Sequence, residues 1–536
     1  MIRLNNIKAP LDFDDAWMIR SAARILGVKP NRINKCTLAR QSVDARKKDD
    51  VCFVLHLDVA LDKSEETLVS RLLPSQGGLH TLYKPPDIPK IPVLPDKRPV
   101  VIGFGPAGMF ASLLLSEAGL SPLVLERGKD ADTRLADIEA YWSNGSTSFS
   151  PESNVQFGEG GAGTFSDGKL NTGIKDPWSE FVLRSFVRFG APQEIVTDAK
   201  PHIGTDRLTG VVKNLRQYIS SLGADVLFGA KVTRIVRSDG RVRSLIYEKD
   251  GHNQEMLCDN VILAIGHSSR DTFAQLHSDQ YTLIPKPFSI GARIEHPQHL
   301  IDIAQYGSFA GHPRLTPADY KLSCHLPSGR SVYTFCMCPG GQVVAAASEP
   351  ESVVTNGMSR YARDAANANS ALLVGISPED FGSDHPLAGM FLQRSIEQRA
   401  FVVGGGSGHA PCQSVGSLLH CKVRNEVIPS YRPGVADCPM DRFLPSYVVD
   451  SMREALPLFG RRIRGFDSSG AMLTGPETRS SSPVRIPRDS RYVSIDASGL
   501  YPCGEGAGYA GGITSAAVDG LRCAHSLICT LAEAAL

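Results

Sequence analysis

VVIGFGPAGM, residues 100–109, decides the fold. An apolar run closes on Gly103, Gly105 and Gly108 in G-x-G-x-x-G spacing and opens a helix. Gly103 permits the tight turn after a strand, Gly105 lets the backbone approach a pyrophosphate, and Gly108 allows the helix to pack closely on the strand. Phosphates then meet free N–H groups at a helix N-terminus, where Pro106 suits an early helical position. The segment Gly103, Gly105, Pro106, Ala107 and Gly108 is thus assigned to a dinucleotide. Glu126, with Arg127 beside it, ends the next apolar strand, SPLVLE. A carboxylate there accepts hydrogen bonds from adenosine ribose hydroxyls, which fits an unphosphorylated ribose.

A second glycine-rich stretch lies far down the chain: GLYPCGEGAGYAGGITSAAVDG, residues 499–520. Between the two stretches the chain is long enough for several cores. At 536 residues, two or three domains are expected. Lys+Arg 57 against Asp+Glu 56 leaves almost no net charge, so no nucleic-acid partner is expected. No apolar stretch reaches the roughly twenty residues a bilayer requires, and residues 1–10 lack a signal-peptide core. The expectation is a soluble, cytoplasmic protein with no membrane partner. Twelve cysteines show no framework spacing and read as buried thiols.

Residues 1–84 read as strand, helix (DDAWMIRSAARILG), two strands (Asn34 to Ala45, then VCFVLHLDVAL) and a helical SEETLVSRLL, a small α+β domain. KPPDIPKIPVLPDKRP follows, and residues 85–97 are read as an extended, semi-rigid proline-rich linker. Residues 98–269 form the first part of a nucleotide-binding domain. They include a helix from Asp206 to Leu222 and strands joined by an Asp239-Gly240 hairpin turn. Residues 270–495 change character, with short strands and polar turns around a helix from Ala388 to Val403. This stretch is read as an inserted substrate domain, and 496–536 as the closing part of the nucleotide-binding domain. The fold class expected is α/β: a discontinuous Rossmann-like domain with an inserted mixed α+β domain and a small N-terminal α+β domain.

These residues resemble the FAD superfamily typified by glutathione reductase. VILAIG (261–266) resembles its ATG-type strand, and GLYPCGEGAGYAGGI resembles its closing motif. Longer phrases resemble a bacterial family of uncharacterised FAD-dependent dehydrogenases, also described as NAD(P)/FAD-dependent oxidoreductases. Among them are PESNVQFGEGGAGTFSDGKLNT, GHSSRDTF, YTFCMCPGG and TGPETRSSSPVRI. The resemblance implies FAD as cofactor and hydride transfer between a small-molecule substrate and flavin N5. It also implies cofactor contacts at Gly160, Gly161, Thr164, Ser166 and Gly168 in a loop wrapping pyrophosphate and flavin edge, and at Val232, Gly266, Gly504, Glu505, Gly512 and Ile513. The last helix would start at Ile513, its positive end toward flavin N1 and C2=O.

Reaction chemistry is less constrained. The segment 473–489 directly precedes the closing motif, a position that in fumarate-reductase-like relatives passes the isoalloxazine ring. Glu477, Arg479 and Arg485 are therefore candidates for binding an anionic substrate or moving a proton. Cys336 and Cys338 sit two apart in an expected strand beside a Pro-Gly-Gly turn, so both face one way. They are candidates for electron relay or a thiolate adduct, with buried core thiols as the other reading. His267, Arg293 and His296 are weaker candidates. VVGGGSGHAP (402–411) follows a helix and precedes none, so it reads as a glycine-rich helix cap rather than a second nucleotide site. A nicotinamide donor, NAD(P)H, would then dock transiently, or the substrate itself would deliver the hydride. No metal site is expected, because no second ligand pair accompanies the C-x-C. A flavin-dependent RNA-modifying protein and a non-catalytic flavin-binding sensor stand as alternatives.

Overall fold

The computed structural model describes residues 1–61, 65–423 and 427–534. A five-stranded parallel sheet carries the two glycine-rich stretches. Its spatial order is Leu500–Pro502, Val261–Leu263, Val100–Ile102, Leu123–Leu125, Asp225–Leu227. The chain leaves this sheet after Leu263 and returns only at Leu500. Val100–Ile102 sits at the centre and is fully buried, as expected of a strand covered on both faces. Helix Pro106–Glu117 is apolar nearly all round because the closing helix Ile513–Ala534 packs on it, and helix Thr205–Ser221 presents Leu208, Val211, Val212, Leu215 and Ile219 to the same core. A three-stranded meander, Lys231–Ser238, Arg241–Lys249 and His252–Leu257, covers the other face. Its first turn is the expected Asp239-Gly240 hairpin, with φ of 54° and 67°.

Between Leu263 and Leu500 the chain builds an eight-stranded, mainly antiparallel sheet. Phe288–Pro297 lies near its middle, between Asn367–Ile376 and Met472–Glu477, and is buried along nearly all its length. The expected break at Pro339-Gly340-Gly341 is absent. Strand Ser331–Ala345 runs straight through it, pairing first with Asn367–Ile376 and then with Thr355–Ser359. Register shifts between Phe335 and Cys338 and again before Gly341 absorb the proline, which cannot donate to a ladder.

The N-terminal sheet has the order Ile33–Asp44, Cys52–Leu61, Ile2–Ala9, Gly77–Leu79, with helix Asp15–Leu26 against it. Asp14 caps that helix by accepting from Trp17 N at 2.6 Å, and Gly27 ends it in the left-handed conformation. The expected helix in SEETLVSRLL begins at Ser64, outside the described residues; what is described is Glu65–Val69. Residues 80–99 hold neither helix nor strand, as the prolines require. They do not act as a free spacer, however. Ile88 and Ile91 pack on the parallel-sheet core, and His525 of the closing helix meets the Asp87 carbonyl at 3.2 Å.

The N-terminal apolar core is continuous with that of the large sheet, and Gln41 exchanges backbone bonds with Thr197 and Ala199. Asp198 sits in that bridge, where burial and then Glu194 raise its carboxyl to about 6. A raised carboxyl favours the folded state below its unfolded value, 3.8, and that contribution is lost as pH rises through about 6. Asp198→Asn is therefore expected to stabilise the protein at pH 7, by under about 1 kcal/mol given solvent screening, and to have no effect near pH 4. Thermal melts at the two pH values check this.

Candidate functional site

The fingerprint loop and the closing motif meet at one cavity. Gly103, Gly105, Pro106 and Ala107 line it together with Glu126, Arg127, Val232, Gly266, Gly504, Glu505, Gly512 and Ile513. The N-terminus of helix Pro106–Glu117 has no side-chain cap, so its first-turn amides remain for a ligand. Helix Ile513–Ala534 starts on the same cavity. Two helix N-termini thus converge on one space, and both favour negative charge.

Gly108 does not line the cavity but packs where its spacing predicts. A Cβ there would stand 1.9 Å from the Gly103 carbonyl oxygen. Gly520 does the same from the other end of the chain, with a Cβ position 2.1 Å from the Ala107 oxygen. Glu126 is buried, and its oxygens accept from the amides of Phe104 (2.7 Å), Gly128 (2.8 Å) and Gly158 (3.0 Å). A carboxylate has about four lone-pair positions, so three amides leave one for a ribose hydroxyl. Arg127 is held by Glu152 and Asp271 and lies over the Phe157 ring at 4.0 Å.

The glycine-rich loop 157–173 divides between cavity and support. Gly161 and Ser166 line the cavity; Gly160, Thr164 and Gly168 do not, which corrects their assignment as cofactor contacts. Thr164 is fully buried with its hydroxyl at the Gly160 Cβ position, and Gly168 abuts Gly204. These three shape the loop from behind. Arg134, which the sequence reading missed, organises it: its buried guanidinium donates to the carbonyls of Asn154, Val155, Gly158, Glu159 and Gly161. Burial draws its pKa down to about 9, against opposition from Glu126 and Glu159.

The large sheet supplies the far wall with Phe335, Cys336, Cys338, Asn356, Glu477, Arg479 and Ser480. Cys336 and Cys338 both reach the cavity, although not by simple alternation. Cys336 occupies a bulge with φ 44° and opens onto the cavity, while Cys338 is buried. Burial pushes the Cys338 thiol up to about 12 and raises Cys336 as well, with Arg293 and Lys169 opposing. Both shifts disfavour the thiolate form that an adduct would need.

Glu477 is gripped by the buried Arg293 through bonds of 2.6 and 3.0 Å, and burial raises its pKa against that arginine. Arg479 is not free to bind an anion. Its Nε and Nη2 go to Glu397 at 3.2 and 3.0 Å, and Nη1 goes to the hydroxyls of Ser268 and Ser348. Glu397 also holds Arg270 through two bonds of 2.8 Å. Burial would raise Glu397, yet the two arginines outweigh it and hold it well below the usual carboxylate range. Arg485 is exposed and lies outside the cavity wall, and His296 is buried against Phe466 away from it, so neither acts there. His267 lines the cavity with Nδ1 3.4 Å from Glu505, and its buried Nε2 has no hydrogen-bond partner among the described residues. In residues 402–411, 404–409 cap the helix Ala388–Val403, with Gly405, Gly406 and Gly408 at positive φ, and lead into the strand Ala410–Ser414.

The uncapped helix, the spare acceptor on Glu126 and the orphaned His267 nitrogen fit a dinucleotide such as FAD. Among the described residues no three His, Cys, Asp or Glu side chains are grouped to hold a metal ion. No helix among them is long and apolar enough to cross a membrane.

Residues 287–480 match the family "FAD-dependent protein, C-terminal domain-like", and residues 1–60 match a domain of unknown function, DUF8436. An uncharacterised protein of Clostridium beijerinckii is 46% identical over 531 residues, covering 98% of both chains. Among solved structures, a geranylgeranyl bacteriochlorophyll reductase-like protein of Thermoplasma acidophilum aligns at 13% identity over 82% of this chain and 81% of its own, with a TM-score of 0.37. A flavoprotein/dehydrogenase of Cytophaga hutchinsonii aligns at 12% over 81% and 78%, also with 0.37. Such loose superpositions assign no activity. The cofactor is FAD.

Proposed function

The chain belongs to the same family as the Clostridium beijerinckii protein, and from that premise we propose that it is a FAD-dependent oxidoreductase acting on a small molecule. The observation that carries this reading is the shared cavity: the nucleotide-binding loops and the wall built from the large sheet open onto one space. Bound FAD supplies a hydride acceptor or donor at N5. Gly105, Ala107 and the first turn of helix Pro106–Glu117 would hold its pyrophosphate, and Glu126 its adenosine ribose. Gly512 and Ile513 would set the positive end of the closing helix against the ring.

The protein's remaining task is positioning. Arg293 fixes Glu477 and Glu397 fixes Arg479, so both side chains enter the cavity wall already oriented. Glu477, buried with its pKa raised, is the candidate for holding or moving a substrate proton. With residues 404–409 forming a helix cap rather than a nucleotide loop, NAD(P)H would dock transiently at the flavin, or the substrate itself would deliver the hydride. The supporting experiment is direct. Purified protein should be yellow and release FAD on denaturation, and anaerobic mixing with NADH, NADPH or a metabolite library should bleach it with at least one donor. Protein that takes up FAD but is bleached by no donor and reoxidised by no acceptor would favour the sensor reading instead.

A further inference from the structure

Charges on the large-sheet side of the cavity do not cancel. Glu477 is matched by Arg293, and Asp167 by Arg363 through bonds of 3.1 and 2.6 Å. Glu397 divides its oxygens between Arg270 and Arg479. Lys169 is left over. Its side chain lines the cavity, its ammonium has no hydrogen-bond partner among the described residues, and its ion-pair contact, 3.9 Å to Asp167 Oδ2, is to an oxygen that already holds Arg363.

The position of Lys169 is fixed rather than floppy at the backbone. It forms an antiparallel bridge with His202, and the next carbonyl, of Leu170, accepts from the Thr514 hydroxyl of the closing helix at 2.8 Å. A second free donor lines the same cavity: Asn356 uses Oδ1 for the Gly357 amide, and its Nδ2 bonds nothing among the described residues. Both donors belong to the neighbourhood of Cys336. The Lys169 charge acts on that thiol, and Gly357 packs on Arg293, whose Nη1 donates to the Cys336 carbonyl. Two uncommitted donors, one of them carrying a positive charge, match an acceptor with two oxygens and one negative charge. A phosphate, with more than one negative charge near neutral pH, would exceed the single charge Lys169 supplies.

We propose that the substrate carries a carboxylate, and that Lys169 binds its charge with Asn356 as the second donor. The inference rests on the flavoenzyme reading above, and it moves the anion-binding duty from Arg479 to Lys169.

Benzoate is the probe, titrated into the FAD-loaded protein and followed by the flavin absorbance. The wild type should show a saturable perturbation, Lys169→Met should weaken it about tenfold or more, and Lys169→Arg should recover most of it. Arg485→Met, an equal charge change outside the cavity, should leave it unaltered. FAD content and reduction potential should be the same in Lys169→Met as in the wild type. Equal benzoate affinity in Lys169→Met overturns the proposal, as does a wild type that responds to neither benzoate nor acetate. A fall in reduction potential with benzoate binding intact also overturns it, because the ammonium would then serve the flavin's own negative charge. Protein that binds no FAD at all defeats the flavoenzyme reading instead.

Discussion

Gly108→Val protein is expected to purify colourless, and Gly520→Val protein with it. The two glycines come from opposite ends of the chain and meet at one place. A side chain at 108 would begin 1.9 Å from the Gly103 carbonyl, and one at 520 would begin 2.1 Å from the Ala107 carbonyl. Neither contact can be relieved by turning a rotamer, since both obstacles are backbone. The fingerprint helix must move off the sheet or off the closing helix, at a cost of about 3 kcal/mol, and the amides that hold the pyrophosphate move with it. The measurement is the ratio of flavin to protein absorbance, expected to fall at least about tenfold, with circular dichroism to show that the fold persists. Gly210→Ala is the control. Nothing lies within 4 Å of its Cβ position, so the substitution should keep FAD and gain up to about 1 kcal/mol from helix propensity. A yellow, stoichiometric Gly108→Val protein would remove the basis for placing the cofactor here.

Glu397→Ala should be the most destabilising single change in the large-sheet half. Glu397 is fully buried between Arg270 and Arg479, which are themselves buried. Its loss leaves Arg270 with Glu349 and the neutral amide oxygen of Gln393, and Arg479 with two hydroxyls, two cations in a dry environment with too little negative charge. Breaking a buried network in this way costs about 3–5 kcal/mol, whereas forming it contributes far less. Glu397→Gln should fall between, because it keeps the shape but not the charge. The sign of the pH dependence follows from the depressed carboxyl. Its stabilising contribution is complete above the unfolded value, 4.5, and is lost as pH falls below it. Denaturant midpoints should therefore converge for wild type and Glu397→Gln as pH drops from 6 toward 3. A wild type and Glu397→Ala pair with equal midpoints at pH 7 would contradict the network's role.

The sequence alone determined the parts of this protein that depend on neighbours in the chain. Strand, glycine turn, helix and terminal acid lie within some thirty residues, and local geometry dictates each of them; the hairpin at Asp239-Gly240 and the helix Ala388–Val403 were legible for the same reason. Glycine spacing also marked the closing motif, because close backbone approach leaves a compositional trace. Tertiary structure decided what depends on burial and partners. Arg479 reads as a free cation until Glu397, on a helix 82 positions away, is seen to hold it. Lys169 reads as one more residue of a glycine-rich loop until the neighbouring acids are found already bonded to arginines. Thr164 reads as a cofactor contact and Arg134 carries no local signal, yet both support the loop from behind, because a side chain's access to a cavity is set by long-range packing, which no local pattern encodes. Chain-local rules thus located the cofactor, and only the folded arrangement of charges could say which cation remains for a substrate.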